Sequence, residues 1–323
     1  MTLRFAFAAL AYFATQYPGL AQPFPDKPIR IISGTQTGTS GDLAGRLLAQ
    51  RLTARLGQPV IFESRPGANG QIAANYAKTL PPDGYSIAYL ASSTIITGPL
   101  MSRTVGFDTF KDFTPISMAV GAALHLVAHS SLGVDTTAGL VEYAKRNPGK
   151  LNYGSVGRGS VFHFQGEAMK VAAGIDMLHV PYTGANNANI IGDLLANRVQ
   201  VYFPAYPATL AALPTGQIKL LGVFLDERPK YRPDLPTVKE ALPNLITVPS
   251  WFGFLGPVGL PAPIADRLQM EISKALQDPE IAKKLEDVGI VPIGNSSAEM
   301  ESLMRKYTDE LNRLAIQSGI EPQ

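Results

Sequence analysis

Apolar positions along the chain alternate between two periods. PIRIIS (28–33), PVIFES (59–64) and YSIAYL (85–90) are short runs rich in β-branched and aromatic residues, and each predicts a strand. Between the first two, Leu43, Ala44, Leu47, Leu48, Arg51, Leu52 and Leu56 lie at helical spacing over 42–56. Ser40 or Asp42 is placed to cap the start of that helix and Gly57 its end. A second helix is expected near 70–79. The order β-α-β-α-β implies a parallel sheet wrapped by helices.

The pattern recurs. LNY (151–153), MLHVPY (177–182), VQVYF (199–203) and IKLLGV (218–223) read as strands, with helices near 160–173, 184–196 and 206–213. Two series of βα units suggest two similar domains. FTPISMAVGAALHLVAHS (113–130) is too long for one ordinary strand of about 5–6 residues. It is expected to be a crossover with one strand in each domain and Gly121 near the hinge. WFGFLGPVG (251–259) is β-rich and is expected to follow the return crossover. Beyond it the chain reads as helical, with a restart at Asp278-Pro279-Glu280, a stop at Gly289 and a capping-box pattern at Ser296 and Glu299.

Composition narrows the class. Of 323 residues, 46% are apolar, which suffices for a sizeable core and argues against disorder. A formal charge of +2 without any basic run excludes a nucleic-acid binder. The chain has no cysteine, which removes disulfides, thiolate metal sites and cysteine nucleophiles. Arg4, an apolar run from Phe5 to Ala14 and the small residues Gly19-Leu20-Ala21 together read as a secretory signal peptide cut after Ala21. Losing Arg4 with it leaves a formal charge of +1 on the exported chain.

The candidate chemistry lies in Gly/Ser/Thr-rich loops between a strand and a helix. SVGRGS (155–160) has Arg158 at its centre, and SGTQTGTSGD (33–42), ASST (91–94) and TGANN (183–187) occupy equivalent places. Such loops offer backbone N–H groups at a helix N-terminus, where an anion is stabilised. Ligands of open α/β sheets sit beyond the carboxyl ends of the strands, so these loops are expected to converge on one cleft. Arg158 can pair bidentately with a carboxylate.

FPDKPIRII, LGQPVIFESRPGANGQIAANYAK, PPDGYSIAYLASST, FDTFKDFTPIS, NPGKLNYGSVGRGS, HVPYTG, LPTVKEALP and WFGFLGPVGLPAPIADRL occur in an order that resembles one family. It comprises the periplasmic solute-binding components of tripartite tricarboxylate transporters, the Bug or TctC-like proteins. The resemblance covers nearly the whole exported chain. It implies a two-domain periplasmic-binding-protein type II α/β fold, each domain a central sheet flanked by helices and joined by crossover strands. The first domain would take 22–122 with about 227–323, and the second about 123–226. The family's function implies a periplasmic monomer that captures a small carboxylate between the domains and delivers it to a membrane permease. It implies no catalysis, cofactor, metal or nucleic acid. Ligand contacts are expected from Gly38, Thr39, Ser40, Asp42, Ala68, Ser92, Ser93 and Thr94 on one side. On the other they are expected from Ser155, Gly157, Arg158, Ser160, Phe162, His163, Tyr182, Thr183, Pro204 and Tyr206.

The chain departs from the family pattern at several of these positions. Thr39 replaces a glycine, Arg158 stands where asparagine is usual, and Phe162 replaces a small polar residue. Phe203-Pro204-Ala205-Tyr206-Pro207 replaces a stretch carrying an acid and an amide. The lost acid argues against an amino-acid ligand, while Phe162, Tyr206 and Arg158 lean toward an aromatic or otherwise bulky carboxylate.

Other functions fit less well. Ser155 and Ser160 both miss the G-x-S-x-G pattern of a hydrolase elbow. The histidines at 125, 129, 163 and 179 form no metal motif, and no phosphate-loop signature occurs. A ligand sensor that signals to a membrane protein would share the same fold and pocket. Mass spectrometry of the exported protein is expected to place its first residue at Gln22 or within a few positions of it.

Overall fold

The computed structural model describes residues 24–102, 104–182, 187–229 and 231–322. The proposed signal peptide and Thr183 lie outside the described residues. The described strands are β1 (Ile29–Ser33), β2 (Val60–Ser64), β3 (Ser86–Ala91), β4 (Phe113–Ala122), β5 (His125–His129), β6 (Leu151–Ser155), β7 (Met177–Pro181), β8 (Val201–Tyr202), β9 (Ile218–Val223), β10 (Trp251–Pro257) and β11 (Ile290–Pro292). They form two sheets, β11-β4-β10-β3-β1-β2 and β7-β6-β8-β5-β9.

β1 pairs in parallel with both β2 and β3, as the first βα units require, and β10 and β11 complete this large sheet as antiparallel members. In the small sheet β6 is parallel to β7 and β8, while β5 is antiparallel to β8 and β9. The 113–130 run divides as expected. β4 belongs to the large sheet and β5 to the small one, with only Ala123 and Leu124 between them.

The helices follow from local chemistry. Helix Ser40–Leu56 is capped by Thr39, whose side chain accepts from the Asp42 N–H; the expected caps Ser40 and Asp42 lie inside the helix. Gly57 ends it at φ 68°, the left-handed conformation in which a side chain is disfavoured. Ser160 caps helix Val161–Ala173, and Ser296 with Glu299 forms the capping box of helix Ser297–Gln317.

That last helix ties the two sheets together. Met300, Met304, Leu311 and Leu314 are buried, and the helix packs on both β4 and helix Val161–Ala173. One apolar cluster accordingly runs from Ile32 and Leu90 of the large sheet to Tyr153 of the small one and Phe164 of helix Val161–Ala173. A second cluster covers the other face of the large sheet, where Tyr89 is enclosed by Phe62, Phe252 and Phe254.

Helices Ser40–Leu56 and Ala262–Leu276 pack side by side there and share an ion pair: Arg55 Nε donates to Glu271 Oε2 at 2.7 Å. Glu271 is buried, and Arg267 also reaches it at 3.4 Å. Arg55→Ala removes the shorter bond and leaves the carboxylate inside with one distant partner. This should cost about 1.5–3 kcal/mol, read as a lowered denaturation midpoint, whereas Arg267→Ala should cost less.

Candidate functional site

The loops at the carboxyl ends of β1, β2, β3 and β6 meet through close contacts, backbone on backbone between the first two and through side chains beyond. A Cβ on Gly34 would stand 2.8 Å from the Gly70 Cα, and one on Gly70 would stand 2.5 Å from Thr94 Oγ1. From the helical turn Ser93–Thr97 the contact continues to the small sheet. Thr97 Oγ1 donates to the Gly159 carbonyl at 2.7 Å, and a Cβ on Gly159 would stand 2.8 Å from Met101 Cγ.

On the large-sheet side most of the expected residues are present but already hydrogen-bonded. The Asp42 carboxylate takes Arg46 Nε at 3.0 Å, the Gly38 N–H at 3.1 Å and Ser64 Oγ at 3.5 Å. Burial works to raise its pKa, but the Arg46, Gly38 and Ser64 bonds outweigh it and hold it below the ordinary carboxylate range. Thr39 is occupied as the helix cap, with its hydroxyl also donating to the Gln36 carbonyl. Ser40 begins the helix beside it. Ser92 Oγ donates to the Pro249 carbonyl and accepts the Trp251 N–H, tying the end of β3 to the segment that re-enters the large sheet.

Asn69, which sequence reasoning missed, organises the next two loops. Its Nδ2 donates to the Ser93 carbonyl, its Oδ1 accepts from Ser93 Oγ, and its carbonyl accepts from Thr94 Oγ1. Gly67, Ala68, Asn69 and Gly70 all have positive φ, at 125°, 45°, 53° and 82°. Two consecutive non-glycine residues in this region store strain, which concentrates at binding sites. The glycines flanking Ala-Asn in PGANG were the available signal.

On the small-sheet side the loop is braced from within. Ser155 is fully buried; its Oγ lies 2.6 Å from His179 Nε2 and 3.0 Å from the Gly157 carbonyl, and it accepts the Gly157 N–H at 3.1 Å. Ser160 Oγ donates to the Gly157 carbonyl and accepts the His163 N–H. His163 Nδ1 accepts the Gly159 N–H at 3.2 Å. The rings of His163 and His179 stack at 4.2 Å, with Tyr153 on the far side of His179. Tyr153 donates to Glu167, which also pairs with Lys170. The hydrogen-bonding groups expected to reach a ligand from Ser155, Gly157 and Ser160 thus largely serve the loop itself.

The aromatic residues are likewise engaged. Phe162 packs on Tyr202 at 5.5 Å, and Tyr206 packs on His125 and Tyr231 at 5.1 and 4.4 Å. Pro204 is buried, its carbonyl accepting the His125 N–H. Tyr182 donates to Asp193; burial, with Asp193 beside it, raises its pKa to about 12.

What remains for an incoming anion, among the described residues, is a set of unpaired backbone N–H groups. They belong to Gln36, Thr37, Ala68 and Asn69 on one side and to Val156 and Arg158 on the other. The Arg158 side chain is exposed and without an ion pair. A recess of about 480 Å³ also involves Arg158 and His163, but it extends away from the converging loops along Glu167, Lys170, Asp176 and Leu178. Apart from Arg158 its lining comes from helix Val161–Ala173, the connections before β6 and β7, the edge strand β7 itself and residues 318–320, so it lies along one edge of the small sheet.

Residues 44–319 match the tripartite tricarboxylate transporter family receptor. A UPF0065 protein of Bordetella pertussis is 31% identical over 321 residues, 98% of this chain and 97% of its own length. An R. palustris protein determined with adipate superposes with a TM-score of 0.80 at 31% identity, covering 93% of this chain and all of that one. The periplasmic binding protein BugD gives 0.75 at 26% identity, with 93% and 100% covered.

Three histidines, His125 and His163 buried and His179 half-buried, make stability pH-dependent. Burial is the main cause in each, lowering His125 and His163 to about 4 and His179 to about 3. Arg158 and Lys170 add to the shift at His163, and the His163 ring adds to it at His179. The unfolded chain binds protons near pH 6.5 that the native state refuses, so stability is full above that value and declines as pH falls toward 4. Melting temperatures between pH 7 and 4 should show this decline, and His179→Gln should flatten it.

Proposed function

We propose that this chain, which belongs to the tripartite tricarboxylate transporter family receptor family, captures a small carboxylate between its two sheets. The observation that carries this reading is the continuous loop contact from Gly34 through Gly70, Thr94 and Thr97 to Gly159. It gathers unpaired N–H donors from both sheets, and backbone donors at helix starts are suited to carboxylates. Each sheet with its helices is read as one lobe, divided near 123 and 226, and the lobes close around the ligand. The exposed Arg158 guanidinium meets a second acidic group. In this reading the protein is exported to the periplasm and hands its ligand to a membrane permease.

The adipate bound to the R. palustris relative makes a short dicarboxylate the leading candidate. Phe162 and Tyr206, which favoured an aromatic acid on sequence grounds, are engaged by Tyr202, His125 and Tyr231. A catalytic reading has little support, because Ser155 is fully buried and its hydroxyl is shared between His179 and Gly157.

A thermal-shift panel of aliphatic dicarboxylates, citrate-like acids, aromatic acids and acidic amino acids tests the assignment. A ligand at 100 times its dissociation constant should stabilise the fold by about 2.7 kcal/mol, and Arg158→Ala should abolish the shift for dicarboxylates. No shift with any acid would sink the reading. A response to aromatic acids alone would restore the bulky-ligand preference.

A further inference from the structure

The contact between the two proposed lobes has an unusual support. Gly159 is held on both of its backbone groups: its carbonyl accepts from Thr97 Oγ1 of the large-sheet side, and its N–H donates to His163 Nδ1 beneath it. Its φ of 78° and its packing on Met101 leave no room for a side chain. The 2.7 Å bond to Thr97 therefore depends on where the imidazole holds the residue.

For His163 Nδ1 to accept, the ring must be neutral with its proton on Nε2. Its surroundings keep it so. The ring is buried; Arg158 and Lys170 approach from its own loop and helix, His179 stacks on it from β7, and Tyr153 and Glu167 lie behind His179. Asp176 lies on the wall of the adjoining recess.

Thr97 has two acceptors within reach. Besides the Gly159 carbonyl at 2.7 Å, its hydroxyl lies 3.1 Å from the Ser93 carbonyl four residues earlier. One proton serves one acceptor at a time. With the sheets together the shorter bond is to Gly159; with them apart the hydroxyl falls back on Ser93, as threonines within helices commonly do. Opening therefore leaves no buried donor unsatisfied, and the contact is reversible.

We propose that His163 is a positioning residue for closure: by accepting the Gly159 N–H it presents the Gly159 carbonyl to Thr97, and this latch favours the closed arrangement of the two lobes. The inference rests on the carboxylate-capture reading for its purpose, although closure can be measured without any ligand.

The chain contains no cysteine, so Ile61→Cys in β2 of the large sheet and Lys145→Cys in helix Thr137–Arg146, between β5 and β6 of the small sheet, both exposed, allow a pair of spin labels on the full exported protein. Inter-label distances are then compared among the parent, Thr97→Val, His163→Phe, His163→Asn and the Thr97→Val/His163→Phe pair. Asparagine can place Oδ1 near the position of Nδ1 and keep the acceptor, whereas phenylalanine keeps the stack and loses it. The parent and His163→Asn should share one distribution. Thr97→Val and His163→Phe should each reduce the closed fraction relative to the open by about fivefold, the weight of one neutral hydrogen bond. The double variant should go no further.

Additive shifts, a parent-like His163→Phe, or identical distributions throughout would overturn the proposal. If His163→Phe does not fold, Thr97→Val against His163→Asn decides: the first must shift and the second must not. Adding adipate tests the functional reading separately. Variants that shift in a protein indifferent to adipate and to the wider acid panel would keep the latch and remove the carboxylate assignment.

Discussion

A loop that leaves water must find a partner for each backbone N–H and C=O it buries, and this requirement governs the strand ends of both sheets. Where β6 runs into its helix, Ser155, Ser160 and His163 take up the inward-facing groups of Gly157 and Gly159. Where β3 ends, Ser92 holds the Trp251 N–H and Asn69 holds the Ser93 carbonyl. The small polar residues that look like ligand contacts in the sequence work largely as braces. Their effect is to hold these loops on a fixed frame while other N–H groups stay unpaired.

That division of labour matters for binding. A flexible loop would pay an ordering cost whenever it gripped an anion; a braced one has met that cost during folding. The strained PGANG turn fits the same logic, because Asn69 holds it with three hydrogen bonds to the neighbouring turn. It also limits what the backbone can select. N–H groups recognise a carboxylate and say little about the body attached to it, so under the proposed function discrimination would fall to exposed side chains such as Arg158.

Much of the fold was legible because periodicity and caps are local signals. The strand at 218–223, the split of 113–130 into β4 and β5, the stop at Gly57 and the Ser296–Glu299 box follow from residues close in the chain. β8 shrank from the expected 199–203 to Val201–Tyr202 because ladder pairing with β5 and β6, not the apolar run, sets its length. The convergence of the loops was legible too, since strand–loop–helix order places such loops together. The roles within it were not. Whether Ser155 faces a ligand or His179 depends on a strand whose histidine lies 24 positions further on. Thr97 carried no sequence signal beyond its place after ASST.

The aromatic residues show the same limit from the other side. Phe162 sits two residues after the Ser160 cap, close to where a ligand would approach, yet a helix turns each successive side chain by roughly 100°. That rotation carries the Phe162 ring toward Tyr202 while His163 turns back under the loop. Tyr206, at the start of its own helix, is drawn into the space between His125 and Tyr231 and against Gly289. Gly289 precedes β11 of the large sheet, so this stack forms a second contact between the sheets. Sequence position alone made these rings candidates for the ligand's body. Helical rotation and the packing of neighbouring rings instead engage them with other side chains of the protein.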